Sequence, residues 1–137
     1  MAEAAISPMA KRTLNSEIQC ILSMSPTSVD DSTVTTRSAV GMRNSWLVFE
    51  EKENVLHAPL VVIGSSPTAL ISLLDLVESG HTAPSLIIGM PVGFIGVSES
   101  KRRLLNSKCP YIVLEGSKGG ASLAAAATNA LLRAAED

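Results

Sequence analysis

Leu60–Met90 reads LVVIGSSPTALISLLDLVESGHTAPSLIIGM and holds a complete strand–helix–strand unit. Leu60–Gly64 (LVVIG) and Ser85–Met90 (SLIIGM) are continuous apolar runs, not alternating ones. Continuous runs suit strands covered on both faces, as in a parallel sheet. Between them, Ser66 is placed to cap a helix, Pro67 suits its first position and Gly80 can close its end. Leu70, Leu73, Leu74 and Val77 then recur at helical spacing and make one apolar stripe, so a helix is predicted over Ser66–Ser79.

Working outward, Glu17–Ser23 (EIQCILS) and Pro110–Glu115 (PYIVLE) read as two further strands. A helix is predicted over Ala39–Lys52, with Val40, Leu47 and Val48 as its apolar residues. Another starts near Ser98 and carries Lys101, Arg102 and Arg103 before Leu104 and Leu105. An Ala-rich helix closes the chain over Ala121–Ala135. Strand and helix alternate throughout. The expectation is therefore an α/β domain, with three α/β/α layers, a mainly parallel sheet of about four strands and right-handed crossovers. The 137 residues suffice for one domain. Residues 1–13 are expected to be a loosely ordered extension and residues 14–137 the domain itself.

Hydrophobic residues make up 46% and charged residues 18%, a composition that favours a packed core over disorder. With only Trp46, Phe49, Phe94 and Tyr111 aromatic, that core must be aliphatic. A net charge of −2 supplies no electrostatic footprint for nucleic acid or an anionic membrane. No apolar run reaches the ~18 residues of a membrane span, and Met1–Arg12 lacks the apolar centre of a secretory signal. Cys20 and Cys109 sit in apolar runs and read as small buried hydrophobes of a reducing compartment. The expected location is the cytoplasm, with a plastid as the alternative suggested by the acid-poor amino terminus.

In an open parallel sheet, ligands sit beyond the carboxyl ends of the strands. Four loops qualify: Met24–Arg37, Gly64–Thr68 (GSSPT), Gly89–Ser98 (GMPVGFIGVS) and Gly116–Gly120 (GSKGG). Glycine lets backbone approach a ligand closely, and helix amino termini favour anions. Arg37 can grip a carboxylate in two-pronged fashion and Lys118 can add a second cation. These features describe a pocket for a ligand with several anionic groups. Each loop also has a plainer reading. Gly64–Thr68 resembles any helix cap after a strand, GMPVGFIG reads equally as a constrained turn, and Lys101–Arg103 reads as a solvated helix face. GSKGG lacks the spacing of a nucleotide-binding phosphate loop. His57 and His81 each precede a strand, which puts them at the opposite edge, about 16 Å away along a five-residue strand. Neither reaches the pocket, so no Ser–His–Asp arrangement survives, and His and Cys are too scattered for a metal site.

The same loops carry a family likeness. Thr35–Ala39 (TTRSA), Ile63–Leu70 (IGSSPTAL), Gly89–Lys101 (GMPVGFIGVSESK) and Gly116–Ala121 (GSKGGA), with Asn129 beyond, resemble in order and spacing the motifs of precorrin-8X methylmutases. The resemblance implies a flavodoxin-like fold, a homodimer and an isomerase of cobalamin biosynthesis that needs no cofactor or metal. Such an enzyme moves a methyl group from C11 to C12 of a tetrapyrrole, precorrin-8X or its cobalt-containing counterpart. It further implies that Thr36, Arg37 and Ser38 meet a substrate carboxylate and that Gly64, Ser65 and Thr68 line the ring pocket. Gly89, Pro91 and Gly93 would form its wall, and Lys118 and Gly119 its rim. Two departures stand out. The family's asparagine after the first glycine is Ser65 here. Its catalytic histidine belongs to a segment upstream of the first matched strand, followed by a further edge strand, that this sequence does not contain, so no catalytic residue is assigned. An active isomerase, a tetrapyrrole-binding relative without turnover and a fragment of the enzyme all remain compatible with the sequence.

Overall fold

A computed structural model of the chain describes residues 37–51, 59–93, 95–116 and 118–136. In order these form α1 (Arg37–Glu51), β1 (Leu60–Ile63), α2 (Pro67–Glu78), β2 (Leu86–Gly89), α3 (Val97–Leu105), β3 (Tyr111–Val113) and α4 (Ala121–Glu136). The strand expected at Glu17–Ser23 lies outside the described residues. The other expected strands and helices are all present, with ends shifted by one or two residues.

The three strands run parallel in the order β1-β2-β3, with Leu60 beside Leu86 and Ile87 beside Tyr111 in register. Alternate residues point to opposite faces. Val61, Ile63, Ile87 and Val113 face one core, together with Leu70, Leu73 and Leu74 of α2, Leu104 of α3 and Met42 and Trp46 of α1. Val62, Leu86, Ile88, Met90, Ile112 and Leu114 face the other, against Ala124, Ala127 and Leu131 of α4. The sheet is thus covered on both sides, which is why its strands read as continuous apolar runs. Both crossover helices, α2 and α3, lie on one face, as right-handed connections between strands added in one direction require. The result is the three-layer α/β/α arrangement expected from the sequence.

Helix α2 is bounded by the signals that predict it. Ser66 Oγ accepts from Ala69 N at 3.2 Å, and Pro67 follows at the first position. At the far end Gly80 takes φ +100°, Gly80 N donates to Val77 O, and His81 N reaches back to Leu76 O. That pair of bonds around a left-handed glycine is the Schellman closure. Changing Ser66 to alanine is expected to lower stability by about 1 kcal/mol. A urea unfolding midpoint unmoved by the change would show that the cap contributes nothing.

The core of α1 differs from the reading of its sequence. Its buried residues are Gly41, Met42 and Trp46, while Val48 is exposed. Trp46 and Phe49 pack with ring centroids 5.1 Å apart, and Trp46 Nε1 donates to Thr82 O at 2.8 Å. The core is mainly aliphatic, but this aromatic pair anchors α1 to it. Near the start of α1, Ala39 O accepts from Ser72 Oγ, and near its end Glu50 accepts from Thr82 N. α1 therefore runs alongside α2 in the same direction. Its amino terminus, with Arg37 and Ser38, lies toward the carboxyl edge of the sheet.

Candidate functional site

Three loops converge at that carboxyl edge, and their backbones are laced together. Met90 N donates to Ile63 O at 2.9 Å, Val92 N to Ser65 O at 3.4 Å, and Gly120 N to Met90 O at 2.9 Å. Each bond joins the loop after one strand to a neighbour, so the edge is a built surface.

Gly64 follows β1 where α4 begins. A Cβ there would lie 2.8 Å from Ala121 Cα, so glycine is what lets the first residue of α4 seat on the strand end. Ser65 is exposed. Ser66 and Thr68 share a hydroxyl contact of 3.0 Å while Ser66 caps α2. Capping is thus an observed task of this loop, and Ser65 is its exposed side chain.

The loop after β2 is tied at its root and apolar at its tip. Pro91 is fully buried, whereas Val92 is 42% and Ile95 92% exposed. Gly93 and Gly96 take φ +134° and +79°, conformations that L side chains rarely adopt. Gly89 is buried as the last residue of β2, and a Cβ on it would come within 2.6 Å of Leu104 Cδ2. Its position serves packing against α3.

The loop after β3 is pressed against the one after β2. A Cβ on Gly119 would collide with the carbonyl oxygens of Met90 and Pro91. Lys118 is exposed at this rim. Arg37 is exposed at the start of α1, and Ser38 is half-buried beside it. Thr36 lies outside the described residues. The structure thus brings Ser65, Gly93, Lys118 and Gly119 to one edge, with Arg37 at the same end of the molecule. Between α3 and the end of β3 lies a groove of about 200 Å³, lined in part by Ser98, Arg102 and Glu115. That is below the roughly 300–1,000 Å³ of small-molecule pockets.

One residue overturns its sequence reading. Lys101 was expected on a solvated face, yet it is buried, at 5% exposure. Its Nζ donates to the carbonyls of Leu114, Gly116 and Lys118 at 2.5, 2.7 and 2.7 Å. Burial pushes the ammonium below its ordinary value, and the three carbonyl oxygens are what the folded chain sets against that cost. Arg102 is exposed as expected, while Arg103 reaches across to Asp75 and Glu78 of α2 at 2.6 and 3.1 Å. Cys109 is buried in the core, and burial pushes its thiol up.

The histidine expected away from the site is away from it. His81 follows α2 at the amino edge of the sheet, with Nδ1 2.7 Å from Glu50 Oε1. His57 lies outside the described residues. Among those described, no group of three or more His, Cys, Asp or Glu gathers to hold a metal. Glu50 also accepts from Thr82 N at 3.0 Å, and that backbone bond, then His81, holds its carboxyl below the ordinary 4.5. A carboxyl lowered on folding stabilises above its unfolded range, and that contribution fades as pH falls through the folded value. Glu50→Gln is therefore expected to cost up to about 1 kcal/mol at neutral pH and nothing near pH 2. Unfolding midpoints at the two pH values check it, and an equal loss at both would refute the charge-based account.

The comparisons with known proteins point to one family. The family profile described as precorrin-8X methylmutase matches residues 1–134. A cobalt-precorrin-8 methylmutase of Synechocystis is 39% identical over 136 residues, covering 96% of this chain and 56% of its own length. A precorrin-8X methylmutase of Pseudomonas aeruginosa is 43% identical over 94 residues, 67% of this chain and 45% of its own. The chain thus spans about half the length of these curated relatives. The crystal structure of precorrin-8X methylmutase from Thermus thermophilus superposes with a TM-score of 0.76 at 31% identity, over 98% of this chain and 62% of that one. Since the profile takes in nearly every residue and the fold agrees, this chain belongs to the precorrin-8X methylmutase family.

Proposed function

We propose that the chain carries the ring-binding part of a precorrin-8X methylmutase, the isomerase that moves a methyl group from C11 to C12 of the macrocycle in cobalamin biosynthesis. The observation that carries the reading is the laced carboxyl edge. GMPVGFIGVSESK and GSKGGA, the stretches that resemble the family, meet there through Gly119, Gly120 and Met90. The ligand is a tetrapyrrole, precorrin-8X or its cobalt-containing counterpart, whose acetate and propionate arms suit Arg37 and Lys118. The exposed Val92 and Ile95 offer an apolar surface to the ring. Ser38 stands with Arg37 toward a substrate carboxylate, Gly64, Ser65 and Thr68 line the ring side of the pocket, and Gly89, Pro91 and Gly93 support its wall. Binding of this kind accelerates migration to the extent that it favours the migrating geometry over the resting one. The working unit is a homodimer, to be checked by light scattering on the eluted protein.

A second reading is a tetrapyrrole-binding relative without turnover. It is favoured by the place of His81, engaged by Glu50 at the far edge of the sheet. A positioned acid or base contributes roughly 10²–10⁴-fold, and among the described residues no histidine stands at the rim to supply it. Incubating the purified chain with precorrin-8X, and following the visible spectrum for hydrogenobyrinic acid, separates the two. Product supports the isomerase, a shifted but stable spectrum supports binding alone, and no spectral change refutes both.

A further inference from the structure

The loop after β3 is held from two sides. On one side Gly119 and Gly120 press against Met90, which fixes where the loop lies. On the other, a single buried ammonium collects the carbonyls of Leu114, Gly116 and Lys118. Carbonyl oxygens carry partial negative charge, so a loop that is to receive an anion must turn them away and offer N–H groups and cations instead. Here carbonyl oxygens at both ends and in the middle of Leu114–Lys118 point to Lys101, beneath the loop. The side chain of Lys118 stays exposed. The anchor comes from α3, whose Val97, Ser100 and Leu104 are also buried, so it is fixed by a packed helix.

Building on the functional reading above, we propose that Lys101 is a positioning residue for the anion-receiving rim. By drawing the carbonyls of Leu114, Gly116 and Lys118 inward, it removes their negative dipoles from the site and sets Lys118 toward the ligand's carboxylates. Lys101 itself does not touch the ligand. A lysine that only held the fold together would lower affinity for every ligand alike. A lysine that shapes the rim's electrostatics acts selectively on anionic ligands and acts through Lys118.

The test uses hydrogenobyrinic acid and its fully methyl-esterified form as probes, titrated by visible absorption against the full chain. The variants are K101M, K118A and the double change. The original chain is expected to prefer the acid. K101M is expected to weaken acid binding about tenfold while moving ester binding by less than about threefold. Because Lys101 acts in part by setting Lys118, the double variant is expected to lose less than the product of the two losses. Should K101M fail to melt cooperatively, K101Q, whose two N–H donors hold at most two of the three carbonyls, takes its place, with a smaller loss that is still selective for the acid. Equal losses for acid and ester, or multiplicative losses in the double variant, would overturn the role given to Lys101 and leave the functional reading intact. An original chain that binds acid and ester equally would overturn it too, while keeping a tetrapyrrole pocket. One that binds neither would overturn the functional reading, and this assignment with it.

Discussion

Changing Gly119 to alanine is expected to destabilise the protein by about 3 kcal/mol, among the larger effects of adding a single methyl group. The new Cβ would meet the carbonyl oxygens of Met90 and Pro91. Both belong to backbone, and Pro91 is fully buried, so neither can yield as a flexible side chain would. Gly119 does not occupy the left-handed region, so its cost is steric alone. Gly116 makes the contrast. It takes φ +80° with nothing within 4 Å of its missing Cβ. Gly116→Ala should therefore lose only the conformational penalty, about 1–2 kcal/mol. Urea unfolding of the two variants distinguishes these costs. Equal losses would mean that the two loops do not pack as closely as the structure places them.

Lys101→Met is expected to cost a similar amount, about 3 kcal/mol, for the opposite reason. Methionine keeps much of the apolar stem but removes every donor. Three carbonyls that now share one ammonium would be left to find others, at about 1–3 kcal/mol for each that stays buried and unpaired. Against this, the folded chain no longer has to desolvate a charge, which recovers part of the loss. The net loss should appear in the thermal midpoint, along with weaker acid-selective binding. A variant as stable as the original chain would mean that water replaces the ammonium without penalty.

The strand and helix plan was legible because periodicity and caps agree in it. LVVIG, SLIIGM and PYIVLE are continuous since both sheet faces are covered, and Ser66, Pro67 and Gly80 mark the ends of α2 as their chemistry dictates. Lys101 was misread because it heads a run of three cations, and such runs usually face water. The contrary signal was present. Lys101 falls four residues after Val97 and three before Leu104, on the apolar stripe of its own helix. Trp46 was missed in a similar way. Met42, Trp46 and Phe49 follow helical spacing, but the aliphatic composition drew attention to Val40, Leu47 and Val48, of which Val48 proved exposed. The site loops were legible as loops at the right edge. What single-sequence reading could not supply was the division of labour among their glycines. Gly64 and Gly119 sit where neighbouring backbone leaves no room for a Cβ and Gly89 where the end of Leu104 crowds one, while Gly93, Gly96 and Gly116 answer a backbone turn. Spacing alone does not separate those causes.

The two faces of the sheet are unequally fastened. Among the described residues, one is covered by α1, α2 and α3 around leucines and a tryptophan, the other by the Ala-rich α4. Alanine contributes little buried area, so α4 is the element expected to lift away first, in a partial opening that leaves the rest folded. Because Gly64 seats against the first residue of α4, and Gly119 and Gly120 lead directly into it, that opening dismantles the rim of the site before it dismantles the domain. Amide exchange should show α4 and residues 118–120 opening together, ahead of β2. Ligand binding should then fade at urea concentrations where the far-ultraviolet helical signal is still mostly intact. A ligand that grips the rim would close this gap, so the margin between losing function and losing structure becomes itself a measure of how firmly the ring is held.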